Sequence, residues 1–164
     1  MSERDDSHDL AAMRDRLAAS RERLALLPVS TDRHAGPTDP STGESWHRGN
    51  VLGHTAEMLP FWTEQFQRAA AGSGKVGRDQ AGTAKRRQGV DHGEAATEAE
   101  LKLSVDKGIA GALKLLGTLT PADLERIVVY TRRDEVRDVR LGELVQTLIV
   151  VHVEEHLEQL AGLA

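Results

Sequence analysis

Apolar residues recur every three or four positions through four long stretches of this chain, and the recurrence breaks at clusters of Gly, Pro, Ser and Asp. From about Asp6 to Leu27, the positions Leu10, Met13, Leu17, Leu24 and Leu27 mark an amphipathic first helix that stops before Pro28. Arg14, Arg16, Arg21 and Arg23 fall mainly on its other faces and read as a solvated surface. Val29 to Glu44, with Gly36, Pro37, Pro40 and Gly43, is loop chemistry. Ser45 is placed to cap a second helix whose stripe holds Asn50, Val51, His54, Met58, Phe61, Trp62 and Ala69, with a bend expected at Pro60. Gly72 to Gly93, rich in Gly, Lys and Arg, reads as a long irregular loop, usually a functional cover or a poorly ordered segment. Thr97 to Glu100 spells a capping box for a third helix with the stripe Leu101, Val105, Ile109, Ala112 and Leu116, ended by Gly117. Thr120 and Pro121 start a short helical turn, and Arg126–Thr131 and Glu135–Val139 read as a short hairpin. Leu141 to Leu163 is the final helix.

That last helix carries the chemistry. At roughly 100° per residue, Leu141, Val145, Leu148, Ile149, Leu160 and Leu163 form one apolar stripe, and His152 and His156 interrupt it one turn apart. Imidazoles turned toward a core must be hydrogen-bonded or ligated, since a bare buried polar group costs a few kcal/mol. Either polar neighbours satisfy this pair or a metal does. His54 is a third histidine on an inward stripe, and it stands on a different helix. Four long helices, each with one apolar face, amount to an all-α four-helix bundle in one domain, a fold that builds metal sites from facing helices.

Composition narrows the options. Aromatics are only 3% of residues, so the core is aliphatic. With no cysteine, any metal site must use His and carboxylates. A net charge of −5 argues against nucleic-acid binding as a general function. No apolar run approaches the ~20 residues needed to span a bilayer, and the charged N-terminus is unlike a signal peptide, so a cytoplasmic protein is expected. Lys75, Arg78, Lys85, Arg86 and Arg87 gather in the one basic stretch, where Arg86 and Arg87 are candidates for holding an anionic substrate or cofactor.

The run Trp46-His47-Arg48-Gly49-Asn50-Val51-Leu52-Gly53-His54, followed roughly a hundred residues later by His152-Val153-Glu154-Glu155-His156, resembles the DinB/YfiT-like superfamily of metal-binding four-helix bundles. The resemblance implies a histidine triad, His54, His152 and His156, holding a divalent metal such as zinc or nickel. It also brings in mycothiol-dependent maleylpyruvate isomerases and other thiol-dependent transferases as relatives, alongside metal-dependent hydrolases. An Ala-, Arg- and Asp-rich composition looks actinobacterial, the setting in which mycothiol is the cellular thiol.

Three neutral imidazoles leave a metal with open positions, where a water or a thiol is activated by losing its proton. Thiol-dependent transfer or isomerisation, metal-dependent hydrolysis and a non-catalytic metal-binding bundle all fit, as does a helical protein that dimerises through its apolar surface. The substrate is left open as a small molecule or a low-molecular-weight thiol. Glu57, one turn after His54, Glu155, between the paired histidines, and Gln159 are the candidates to orient a ligand or carry a proton. Glu154 points the other way and reads as solvated. His47 lies two turns from His54, about 10 Å away, too far to share its metal, and reads as a pocket-mouth residue. Trp46 is expected to pack. His8, His34 and His92 receive no role.

Overall fold

The computed structural model describes residues 9–163; His8 and the expected helix start at Asp6 lie outside them. Helix α1 runs Leu10–Leu26, with the Ala11 N–H of its first turn donating to the Asp9 carboxylate. Met13, Leu17 and Leu24 are buried, as the apolar spacing requires. Its arginines lie on the solvent side as expected, and three of them also reach neighbouring helices: Arg16 and Arg23 pair with Glu154 and Glu158, and Arg21 with Asp106. Glu154 is therefore part of a helix-to-helix ion pair.

Helix α2 spans Arg48–Ala70 and continues through Pro60. Its cap is His47 rather than Ser45: the imidazole Nδ1 accepts from the Asn50 N–H while the Asn50 side chain accepts from the His47 N–H. Ser45 sits instead in a bridge with Thr38.

The expected loop between Gly72 and Gly93 is a correction. It holds strand β1, Lys75–Gly77, and helix α3, Gln80–Ala95. Glycines that read as helix breakers are here contact points. A Cβ on Gly93 would lie 2.0 Å from the Gly49 carbonyl oxygen, and one on Gly53 would lie 2.3 Å from that of Gly89. Glycine lets α3 rest backbone to backbone on α2, and that burial outweighs its modest cost in helix propensity.

Helix α4, Glu98–Thr118, begins with the expected Thr97/Glu100 capping box. The short α5, Pro121–Glu125, has the Thr120/Asp123 box. The hairpin follows as β2, Ile127–Arg132, and β3, Glu135–Arg140, antiparallel, with β1 parallel to the other edge of β2. The C-terminal helix is α6, Leu141–Val145, a π-helical turn over Gln146–Val151, and α7, His152–Gly162.

Helices α1, α2, α4 and the α6–α7 rod form the bundle, with α2 touching both α4 and α7. The chain is thus predominantly helical, with a small three-stranded sheet. Its core is aliphatic, centred on residues such as Leu17, Leu52, Met58, Ile109, Leu116 and Ile149. One buried ion pair fastens the bundle. Arg48 and Glu98 are each 2% exposed; the guanidinium also donates to the Leu160 and Pro28 carbonyls, while Glu98 accepts from the Ser30 N–H. Four chain segments meet at this one side chain.

Candidate metal centre

The interior face of α2 carries His54, and the first turns of α7 carry His152 and His156. Packing of α2 against α7 brings them together. One ring nitrogen from each lies within 4.8 Å of the others, and the ring centroids are 5.4, 5.0 and 4.5 Å apart for the three pairs. His152 and His156 owe their closeness to the i, i+4 spacing, and His54 owes its place to the bundle.

Protonation is suppressed throughout the cluster. Burial is the main cause at His54, followed by the charges that His156 and His152 would carry, then by Arg86 and Arg78. His152 is pushed down to about 3 by burial, then by His156, Arg78 and Arg86, against an opposing contribution from the Leu148 backbone. At His156 burial also dominates and Arg86 adds to it, while Gln159 opposes. Neutral imidazoles keep their lone pairs.

Two of those lone pairs have no taker. His54 Nδ1 and His156 Nε2 are buried without a hydrogen-bond partner, an arrangement that costs about 1–3 kcal/mol per group if nothing fills it. His156 Nδ1 lies 3.0 Å from Gln159 Oε1; with the amide oxygen accepting, Nδ1 carries the proton and Nε2 is left as the donor atom toward the cluster. The donor set and its orphaned nitrogens fit a divalent metal ion.

Trp46 covers the cluster, its ring 5.1 Å from that of His54 and 6.2 Å from that of His156. Its indole N–H donates to Glu44. A cleft of about 1180 Å³ opens onto the histidines and is lined also by Trp62, Arg78, Arg86, Tyr130, Thr147 and Glu155.

The remaining candidates are dispersed. Glu57 is held by Arg78 through two hydrogen bonds of 2.5 and 2.8 Å, and no hydrogen bond joins it to a histidine. Glu155 is exposed and lines the cleft. Arg86 lines it too, with its guanidinium 5.4 Å from the Trp46 ring, whereas Arg87 is exposed and outside the lining. His47 is buried as the α2 cap and reaches Glu94 at 3.0 Å, so it stands away from the cleft. His34 lies in the irregular segment between α1 and α2 and His92 on the exposed side of α3, both outside the cluster.

Sequence reasoning missed the hairpin's share. Tyr130, Arg132, Arg133 and Arg137 line the cleft, and nothing in the strand pattern says which edge of the bundle the hairpin covers. None of the helices described is long and apolar enough to cross a membrane.

Comparison with curated proteins returns no match, and comparison with solved structures returns none either. A family model described as the DinB superfamily does match, over residues 10–160, a span that takes in α1, the capped start of α2 and both histidine-bearing helices. The chain that folds into this histidine-centred bundle belongs to the DinB superfamily.

Proposed function

We propose that this protein is a divalent-metal-dependent enzyme that uses a low-molecular-weight thiol, mycothiol being the candidate, for transfer or isomerisation. The observation that carries the reading is the pair of buried, unpartnered nitrogens on His54 and His156 at the floor of an open cleft. A structural site would close its ligand sphere with protein groups, whereas three histidines beside a cleft leave room for a ligand from solution. Zinc or nickel held there would supply a Lewis acid that favours the thiolate over the thiol.

The chain's own residues do the rest. Burial keeps the three imidazoles neutral, so they bind without first losing a proton. Gln159 fixes the His156 ring and its tautomer. Trp46 shields one side of the cluster from water. With Glu57 engaged by Arg78, the exposed Glu155 at the cleft is our candidate carboxylate to receive the thiol proton and pass it to solvent.

The test is a cobalt-substituted protein titrated with mycothiol or a simple thiol. Sulfur-to-metal charge-transfer absorption and release of a proton are expected, with His152→Ala losing most of its metal and His92→Ala keeping it. A spectrum unmoved by thiols, together with turnover of a simple ester or amide, would replace this reading with a metal-dependent hydrolase.

A further inference from the structure

Charge in the cleft is unevenly settled. A dication on three neutral imidazoles keeps its full charge, because no carboxylate belongs to the donor set. Five arginines line the cleft, and two of them, Arg78 and Arg86, lie close enough to bear on the histidines. Arg78 is neutralised by close bidentate contact with Glu57 and also donates to the Gly82 carbonyl. Arg86 is different. Both of its terminal nitrogens reach the same Glu44 oxygen, at 3.3 Å each, too long for a tight charge-assisted contact. Its side chain is 30% exposed and that of Glu44 34%, so water competes for both. Arg86 is also the charge felt by all three histidines.

Glu44 has a second engagement. Its other oxygen accepts from the Trp46 indole at 2.8 Å, and Trp46 is the ring that packs on His54 and His156. Glu44, Trp46 and Arg86 therefore form a small gate at the cleft wall, a carboxylate lying loosely against a guanidinium beside the histidines.

We propose that Arg86 is the binding group for a carboxylate on the ligand, and that Glu44 is an internal placeholder which the ligand's carboxylate displaces. The ligand class is thus a bifunctional anion, with a metal-seeking thiolate at one end and a free carboxylate at the other, which selects against mycothiol itself, whose cysteine carboxyl is bound in an amide. A planar guanidinium suits a carboxylate, which it can meet with two parallel N–H donors, a geometry the long one-oxygen contact with Glu44 does not achieve. Displaced, Glu44 keeps its indole partner and its access to water, so leaving Arg86 strands no buried charge. This inference rests on the thiol reading above and names the second recognition element of the same site.

Cobalt-loaded protein titrated with mercaptoacetate, mercaptopropionate and mercaptobutyrate, each against mercaptoethanol, supplies the test through charge-transfer absorption. A graded series finds the length that spans the cobalt and Arg86. The best-fitting acid should bind about 10- to 100-fold more tightly than the alcohol, the usual value of a hydrogen bond to a charged group. Arg86→Gln should erase that preference, weakening the acid far more than mercaptoethanol, whose thiolate loses only the longer-range pull of the guanidinium, with cobalt still bound. Glu44→Gln should enlarge it, since Arg86 then loses its competitor. Acids and alcohol binding alike in all three proteins would overturn the role of Arg86 and leave the thiol reading standing. A spectrum that no thiol moves would overturn both. A preference that survives in Arg86→Gln and is unchanged in Glu44→Gln would place the carboxylate elsewhere and also refute the proposal.

Discussion

Replacing Arg48 with Met should destabilise this fold more than most single changes. The guanidinium and the Glu98 carboxylate sit almost without water, at 3% and 1% side-chain exposure. Methionine fills much of the same volume and removes the charge. Glu98 is then left with the Ser30 N–H and with Arg33 at 3.5 Å, and the Leu160 and Pro28 carbonyls lose their donor. Breaking a buried pair from one side costs about 3–5 kcal/mol, and the Arg33 contact at 3.5 Å compensates the surviving charge only in part. Against a total stability of about 5–15 kcal/mol, that is a large share. At about 2–4 °C per kcal/mol for a domain of this size, Tm should fall by roughly 10 °C. Removing both charges in Arg48→Met/Glu98→Leu should recover most of the loss, since desolvation and attraction nearly cancel in the intact pair. Urea unfolding followed by circular dichroism, with the slope checked for constancy, measures both variants. A loss below about 1 kcal/mol in Arg48→Met, or a double variant no more stable than the single one, would refute the reasoning.

Gly93→Ala should lower stability by about 1–3 kcal/mol or more, because its Cβ would meet the Gly49 carbonyl at 2.0 Å. A solvent-facing helical glycine would instead gain up to ~1 kcal/mol from the same change, so a raised Tm would show that α3 does not rest on α2. In the metal-free protein the folded state binds fewer protons than the unfolded chain between the ordinary histidine value of 6.5 and about 3 for His152. The stability that the neutral imidazoles contribute is therefore complete above about pH 6.5 and is lost as pH falls, by up to about 1.4 kcal/mol per pH unit per histidine. His152→Leu should flatten the acid limb of a pH series of urea midpoints, and an identical limb in both proteins would contradict the assignment. Chelation should leave helical circular dichroism largely intact, since caps and apolar stripes hold the helices without metal, unlike structural zinc domains that unfold.

The triad was legible because its signal is periodic. His152 and His156 fall on one face by spacing alone, and His54 shares a stripe with Val51 and Met58, so packing two stripes had to bring the three together. Helices α1 and α4 were legible for the same reason, and the Thr97/Glu100 and Thr120/Asp123 boxes are local chemistry that needs no partner. Helix α3 was not. Gly89 and Gly93 are helix-weakening in isolation, and only contact with Gly53 and Gly49 on another helix turns them to advantage. Arg48 and Glu98 are ordinary surface residues by type; their burial follows from where four segments converge. His47 was misplaced because an imidazole cap is an uncommon substitute for Ser or Asp. The π-helical turn lies in Gln146-Thr147-Leu148-Ile149-Val150-Val151, a run with nothing to distinguish it from an α-helix.

That turn has a consequence for how the histidines are aimed. Bonding from residue i to i+5 takes in roughly one residue more than an α-turn, so the C-terminal rod is two helices with an angular offset of about 100° between them. Leu141 and Leu144 set the seating of the first half in the core, while His152 and His156 take their bearing from the second. The two seatings are thereby uncoupled. The geometry of this cluster is written in chain length as well as in residue identity: dropping one residue between Gln146 and Val151 would let the ladder close as α and swing both imidazoles away from His54, with all three histidines still in the sequence.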